Sequence, residues 1–129
     1  MTPQHRLVQT AAGLTRERLD DRTVIAISGE LDVTSTPILR ERLYAALQDS
    51  GPYVTIDLSG VTSCDASGLA MLVGAHHRAE ATGTTLTLAC ARRQPADLLR
   101  ATGLHRAFMT RSSTTDAQAA GRHIRPTAA

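Results

Sequence analysis

The chain has 129 residues and a mass of 13.7 kDa, with 42% hydrophobic and 20% charged content and a formal net charge of +2. This is the composition of one soluble globular domain with a proper core. No apolar run nears the roughly 18 residues that span a bilayer and no signal-peptide core opens the chain, so a cytoplasmic protein that does not enter a membrane is expected. All 14 basic residues are arginines, which leaves no Walker-type phosphate-binding lysine, Schiff-base lysine or Ser-Lys dyad. Trp and Asn are missing and Phe108 is the single phenylalanine, so modules that stack bases on aromatic platforms, and with them a nucleic-acid partner, are not expected.

Residues 1–13 show little pattern and read as an N-terminal extension. Leu14 to Leu19 is polar and extended, and Asp20-Asp21-Arg22 offers turn chemistry. Thr23 to Ile27 is β-branched and apolar on both faces, as a central strand would be. These two segments predict a hairpin with its polar member at a sheet edge.

Ser28-Gly29-Glu30-Leu31-Asp32 reads as a loop leading to Ser35-Thr36-Pro37, where a hydroxyl at N-cap and proline at the next position start a helix. Leu39, Leu43, Ala46 and Leu47 follow at helical spacing, and Gly51-Pro52 stops the run. Val54, Ile56 and Leu58 alternate with Tyr53, Thr55 and Asp57 in a half-buried strand, and a loop around Thr62–Asp65 leads into a second helix opening on Asp65-Ala66-Ser67-Gly68. Leu69, Leu72, Val73, His76 and Ala79 are its predicted apolar stripe, and Thr82-Gly83 its end.

A strand with Leu86, Leu88 and Cys90 on one face comes next. Pro95 can start a third helix with Asp97 in its first turn and Gly103 as its C-cap. Ala107 to Thr110 is a candidate last strand. Residues 112–129 are rich in Ser, Thr, Ala and Gly, with helical potential from Asp116 to Gly121, and read as a short helix or flexible tail. The order ββαβαβα, with a further β, predicts an α/β domain with parallel pairing and helices mainly on one face of a mixed sheet.

Ser67 has three readings. As a catalytic nucleophile it lacks the G-x-S-x-G elbow and an evident base. As a first-turn serine beside an N-capping Asp65 it needs no further role. As a phosphate acceptor it is chemically suited, because a helix start exposes unpaired N–H groups and the positive end of the macrodipole.

His76 and His77 are adjacent and point to different helix faces, so they do not form a helical metal pair, and His76 falls on the apolar stripe. Asp57 and Asp65 lack a third acid nearby, and neither a metal nor another cofactor is expected. Cys64 and Cys90 form no CxxC pair and read as reduced thiols; a helix start beside Cys64 could mildly acidify it, but packing is its main reading. Arg92, Arg93, Arg100, Arg106 and Arg111 make the last third basic, as a solvated face is.

Three stretches in order, SGELDVTSTPILRERL, VTIDLSGVTSCDASGLAMLVGAHHRA and TGTTLTLACARRQPADLLRATGLHRAF, resemble the STAS domains of bacterial anti-sigma factor antagonists. The resemblance covers roughly residues 14–110. It implies a STAS fold with a four- to five-stranded mixed sheet, a domain over 14–111, and no enzyme activity. It further implies binding to an anti-sigma factor that is also a serine kinase, with release of the sigma factor.

In that family the serine before the glycine of a D-[SA]-[ST]-G motif is phosphorylated, which maps onto Ser67 and abolishes binding; a serine phosphatase restores it. Asp65, Gly68 and Leu69 match the motif around it, while Ala66 stands where sporulation-type members often carry a second hydroxyl. The implied partner surface comprises Gly29, Glu30, Asp32, Thr62, Cys64, Asp65, Ala66, Gly68 and Leu69. Most such domains bind as single copies, although the sequence itself leaves the oligomeric state open. A phosphoserine adds about −1.5 to −2 charge, and at a helix start it should favour the helix, so blocked docking rather than melting is the expected effect. The alternative role within the same fold is a STAS subunit or regulator of a transporter or lipid-export complex.

Overall fold

The computed structural model describes residues 12–111. Its elements are β1 (Gly13–Arg18), β2 (Thr23–Leu31), α1 (Thr36–Gln48), β3 (Tyr53–Cys64), α2 (Ala66–Ala81), β4 (Thr85–Ala89), α3 (Arg93–Thr102), a 3-10 turn (Leu104–Arg106) and β5 (Met109–Arg111). The strands form one sheet in chain order, β1 antiparallel to β2 and every later neighbour parallel. When parallel strands are added in sequence order, crossovers of the usual right-handed kind send each helix to the same face. The packing agrees: Leu39, Leu43, Met71, Leu72, Ala75 and Leu99 of the helices share one core with Ile25, Ile27, Ile56, Leu58 and Leu88 of the sheet. The expected α/β architecture, a mixed sheet with helices on one face, is the one found.

The edge strand is tied down by its arginines. Helix α1 has no basic residue in its last turn. Arg16 Nη1 donates to the Ala46 carbonyl (3.3 Å) and Arg18 Nη1 to that of Asp49, so β1 supplies the positive charge that the C-terminal end of a helix favours. Arg42 Nη2 returns a bond to the Leu14 carbonyl at 2.9 Å.

Several elements differ from the sequence expectation. Gly13 already pairs with Ser28, so strand β1 begins one residue before the extended segment read from Leu14. Strand β2 runs on through Gly29 and Glu30 to Leu31, and β3 through Thr62 to Cys64, where loops were expected. Register shifts between Ala26/Ser28 and Gly29/Glu30, with Gly29 at φ 97°, let the pairing continue while Ile27 and Leu31 both stay in the core.

Strand β3 is also more buried than its alternation implies. Thr55 is only 4% exposed, because it lies between Val24 on one side and Thr87 on the other. The buried stripe of α2 centres on Met71 and Ala75, with Leu69, Val73 and His76 at its margins, since the helix packs on both the sheet and α1. Strand β4 ends at Ala89, and Cys90 follows at φ 63° instead of sharing the strand's face. Helix α3 begins at Arg93, so Pro95 is its third residue and Asp97 lies past the first turn; Gly103 caps it in the left-handed region as expected. The candidate helix from Asp116 to Gly121 and the proposed tail lie outside the described residues, as does most of the N-terminal extension.

Candidate functional site

The parallel strands β2 and β3 end side by side, with Glu30 opposite Ser63 and Leu31 opposite Cys64. The chain then turns straight into α2. The Asp65 N–H donates to the Leu31 carbonyl (3.0 Å), which ties the helix start to the end of the neighbouring strand. Asp65 is the N-cap in extended conformation, and its Oδ1 accepts from the N–H groups of Ser67 (2.8 Å) and Gly68 (3.2 Å). This is the capping geometry that the D-A-S-G sequence predicts.

Gly68 is buried at the contact. A Cβ there would lie 2.6 Å from Leu31 Cβ and 2.8 Å from Cys64 Sγ, distances no real side chain tolerates. The glycine therefore lets the first turn of α2 sit down on the strand ends. Ser67 beside it is half-buried, and its Oγ has no hydrogen-bond partner among the described residues. Among the described residues no base hydrogen-bonds to it, so none of them is placed to activate it as a nucleophile.

Cys64 is buried at 5% exposure. Burial first, and the charge of Asp65 second, push its thiol up to about 11. Such a thiol is unreactive at neutral pH. Its backbone is held by a residue that sequence reasoning missed: Gln94 Oε1 accepts from the Cys64 N–H (2.8 Å), and Gln94 Nε2 donates to the Cys64 carbonyl (2.9 Å). This bidentate amide brings the start of α3 to the site. Nothing in the local sequence distinguishes Gln94 from an ordinary surface glutamine.

The turn after β2 is organised by Asp32. Its Oδ1 accepts from Thr34 Oγ1 (2.7 Å), Thr34 N–H (3.0 Å) and Ser35 N–H (3.1 Å). These bonds, the Thr34 hydroxyl foremost, hold the Asp32 carboxyl below its usual value. Ser35 precedes α1 but does not cap it with its side chain; its Oγ donates instead to the Glu30 carbonyl at 2.7 Å. The serine thus pins the turn to the end of β2.

The residues expected to meet a partner therefore gather at one end of the sheet. Glu30, Thr62, Asp65 and Ala66 are exposed, and Gly29, Asp32, Ser67 and Leu69 are partly so. Cys64 and Gly68 lie beneath and shape the surface without lining it. Two large apolar side chains that the sequence reading passed over stand beside it: Val33 in the Asp32 turn is 68% exposed and Ile38 in the first turns of α1 is 69% exposed. Helical periodicity was the signal for Ile38, since Leu39 and Leu43 already fill the inward positions.

The other candidates take structural places. His76 packs edge-on against Phe108 (4.9 Å between centroids), and its Nε2 lies 3.8 Å from Glu80 Oε2. Asp57 Oδ1 accepts from the Ser59 N–H at 2.9 Å. Among the described residues no three His, Cys, Asp or Glu side chains converge as metal ligands, and no helix is long and apolar enough to cross a membrane.

Comparison with known proteins places these features in a family. Residues 14–111 match the family described as Mlab, STAS domain. The anti-sigma-B factor antagonist of Bacillus subtilis (strain 168) is 38% identical over 64 residues, which cover 50% of this chain and 58% of that protein. An anti-sigma factor antagonist from Mycobacterium paratuberculosis superposes with a TM-score of 0.79 at 27% identity, covering 88% of this chain and 96% of that one. The anti-sigma factor antagonist SpoIIAA in its unphosphorylated form gives 0.71 at 19% identity, over 85% of this chain and 96% of its own. The phosphorylated form of SpoIIAA from Bacillus gives 0.63 at 20% identity, over 81% and 96%. These last two likenesses concern the fold alone.

Proposed function

Because this chain belongs to the STAS-domain family, we propose that it is an anti-sigma factor antagonist controlled by phosphorylation of Ser67. In its unmodified state it docks on an anti-sigma factor with serine kinase activity and displaces the sigma factor. The kinase transfers the γ-phosphoryl group of ATP to Ser67 Oγ, releasing ADP and the hydroxyl proton, and the product no longer docks. A serine phosphatase resets it. The domain over 14–111 carries the whole device, acts in the cytoplasm and performs no catalysis itself.

One observation carries this reading: the half-buried Ser67 has a hydroxyl with no hydrogen-bond partner among the described residues, on a helix turn whose backbone is fixed through Leu31, Asp65 and Gly68. A hydroxyl so held can be modified without unfolding what surrounds it. The surface it interrupts comprises Gly29, Glu30, Asp32, Thr62, Asp65, Ala66 and Leu69, with Cys64 and Gly68 as its support. Charge and bulk added there burden the complex, by roughly 2–5 kcal/mol if they act as a buried unpaired interface charge does.

Incubating the chain with the anti-sigma factor kinases of its source organism and ATP, followed by mass-spectrometric mapping, tests the assignment. Phosphate on Ser67 is the expected result. Phosphate elsewhere, or none with any such kinase, overturns it. Purification of the chain in complex with a transporter or lipid-export assembly would favour that alternative role.

A further inference from the structure

This inference rests on Ser67 phosphorylation and concerns where the phosphate goes. In the first turn of a helix a phosphate ordinarily gains from unpaired N–H groups and the macrodipole. In α2 all but one of those donors are committed, the Ala66 N–H alone having no partner among the described residues. Asp65 Oδ1 takes the N–H groups of Ser67 (2.8 Å) and Gly68 (3.2 Å), and the Leu69 N–H bonds to the Asp65 carbonyl at 3.0 Å. The backbone of Asp65 is anchored as well, through its N–H to the Leu31 carbonyl (3.0 Å).

We infer that Asp65 occupies the anion seat of α2 and excludes a Ser67 phosphate from it. The phosphate then stands free at the surface as a dianion beside a carboxylate. Two consequences follow for regulation. Phosphorylation does not stabilise the helix, unlike the general expectation for a first-turn phosphate. Its whole charge is presented to the docking partner and remains open to a phosphatase. Other charged groups near this end of the sheet are Glu30 and Asp32 from β2 and its turn, and Arg92 and Arg93 at the start of α3, which Gln94 ties to Cys64 (2.8 and 2.9 Å). The exposed guanidinium groups of these two arginines would be the alternative seat.

The test uses the full chain with phosphoserine installed at position 67 by genetic encoding, so no kinase is required. Phosphorus NMR against pH reads the second ionisation of the phosphate, ordinarily near about 6. A neighbouring carboxylate disfavours the dianion and raises that midpoint, whereas N–H donors lower it. The midpoint should lie above the ordinary value in the parent chain, fall toward it in Asp65→Asn, which keeps a neutral capping oxygen, and drop below it in Asp65→Ala, where the donors are freed.

Phosphorylation should also raise Tm in Asp65→Ala and not in the parent. A parent midpoint below the ordinary value, or equal midpoints in the parent and Asp65→Asn, overturns the inference and assigns the phosphate to the arginines or the helix N–H groups. Should Asp65→Ala fold poorly, the Asp65→Asn comparison alone decides. A failed kinase assay would refute the proposed function and leave this measurement intact.

Discussion

The α hydrogen of Gly68 that a Cβ would replace faces Leu31 so closely that the added carbon would lie 2.6 Å from Leu31 Cβ. The glycine of the D-A-S-G stretch is thus a contact between the start of α2 and the end of β2. Its neighbour Ser67 inherits a fixed position from it.

Gly68→Ala should therefore destabilise the domain by about 1–3 kcal/mol, the usual cost of overpacking a filled contact, even though alanine favours helices. Urea unfolding checks this. A stability equal to or above that of the parent would mean that α2 can shift freely on the strands, against the rigid seat described here.

Gln94→Ala removes both partners of the buried Cys64 peptide groups. Leaving them unsatisfied should cost about 1–3 kcal/mol, and hydrogen exchange of the Cys64 amide should quicken beyond what the global stability loss explains. Gln94→Glu keeps the acceptor for the Cys64 N–H but loses the donor to its carbonyl, so it should also fall below the parent in stability. Exchange at Cys64 as slow as in the parent would show that the amide is dispensable.

Cys64 gives the stability an alkaline dependence. Its folded value of about 11 stands above its ordinary 9.0, so the unfolded chain loses the thiol proton first. The contribution is fully present below pH 9, and it is lost as pH rises from there to about 11. Urea midpoints should decline over that window more in the parent than in Cys64→Ala, and thiol alkylation at neutral pH should reach the half-exposed Cys90 well before Cys64. Parallel declines, or faster labelling of Cys64, would contradict the burial argument.

Much of this fold is legible locally. The alternation of strands and helices, the left-handed cap at Gly103 and the N-cap at Asp65 all follow from residue chemistry that needs no tertiary context. What escapes is set by distant neighbours. Ser28-Gly29-Glu30 and Ser59-Gly60 have the composition of turns, yet the pairing of β2 with β3 carries both strands through them, and tertiary pairing outweighs local preference. The α2 stripe shifts to Met71 and Ala75 because α1 packs against the helix from a direction that a period alone cannot give. At the site, Ser67, Asp65 and Gly68 are readable from their motif. Gln94 and the exposed Val33 and Ile38 acquire meaning only once three separate segments meet at one end of the sheet.

The central claim is that a phosphate on Ser67 abolishes docking while the fold persists. Isothermal titration of the anti-sigma factor kinase with the unmodified chain, Ser67→Ala and the Ser67-phosphorylated chain measures it directly. Unmodified chain and Ser67→Ala should bind with closely similar Kd. The phosphorylated chain, with circular dichroism unchanged, should bind more weakly by well over tenfold, as a loss of roughly 2–5 kcal/mol requires. Equal affinity of the phosphorylated and unmodified chains would contradict the account.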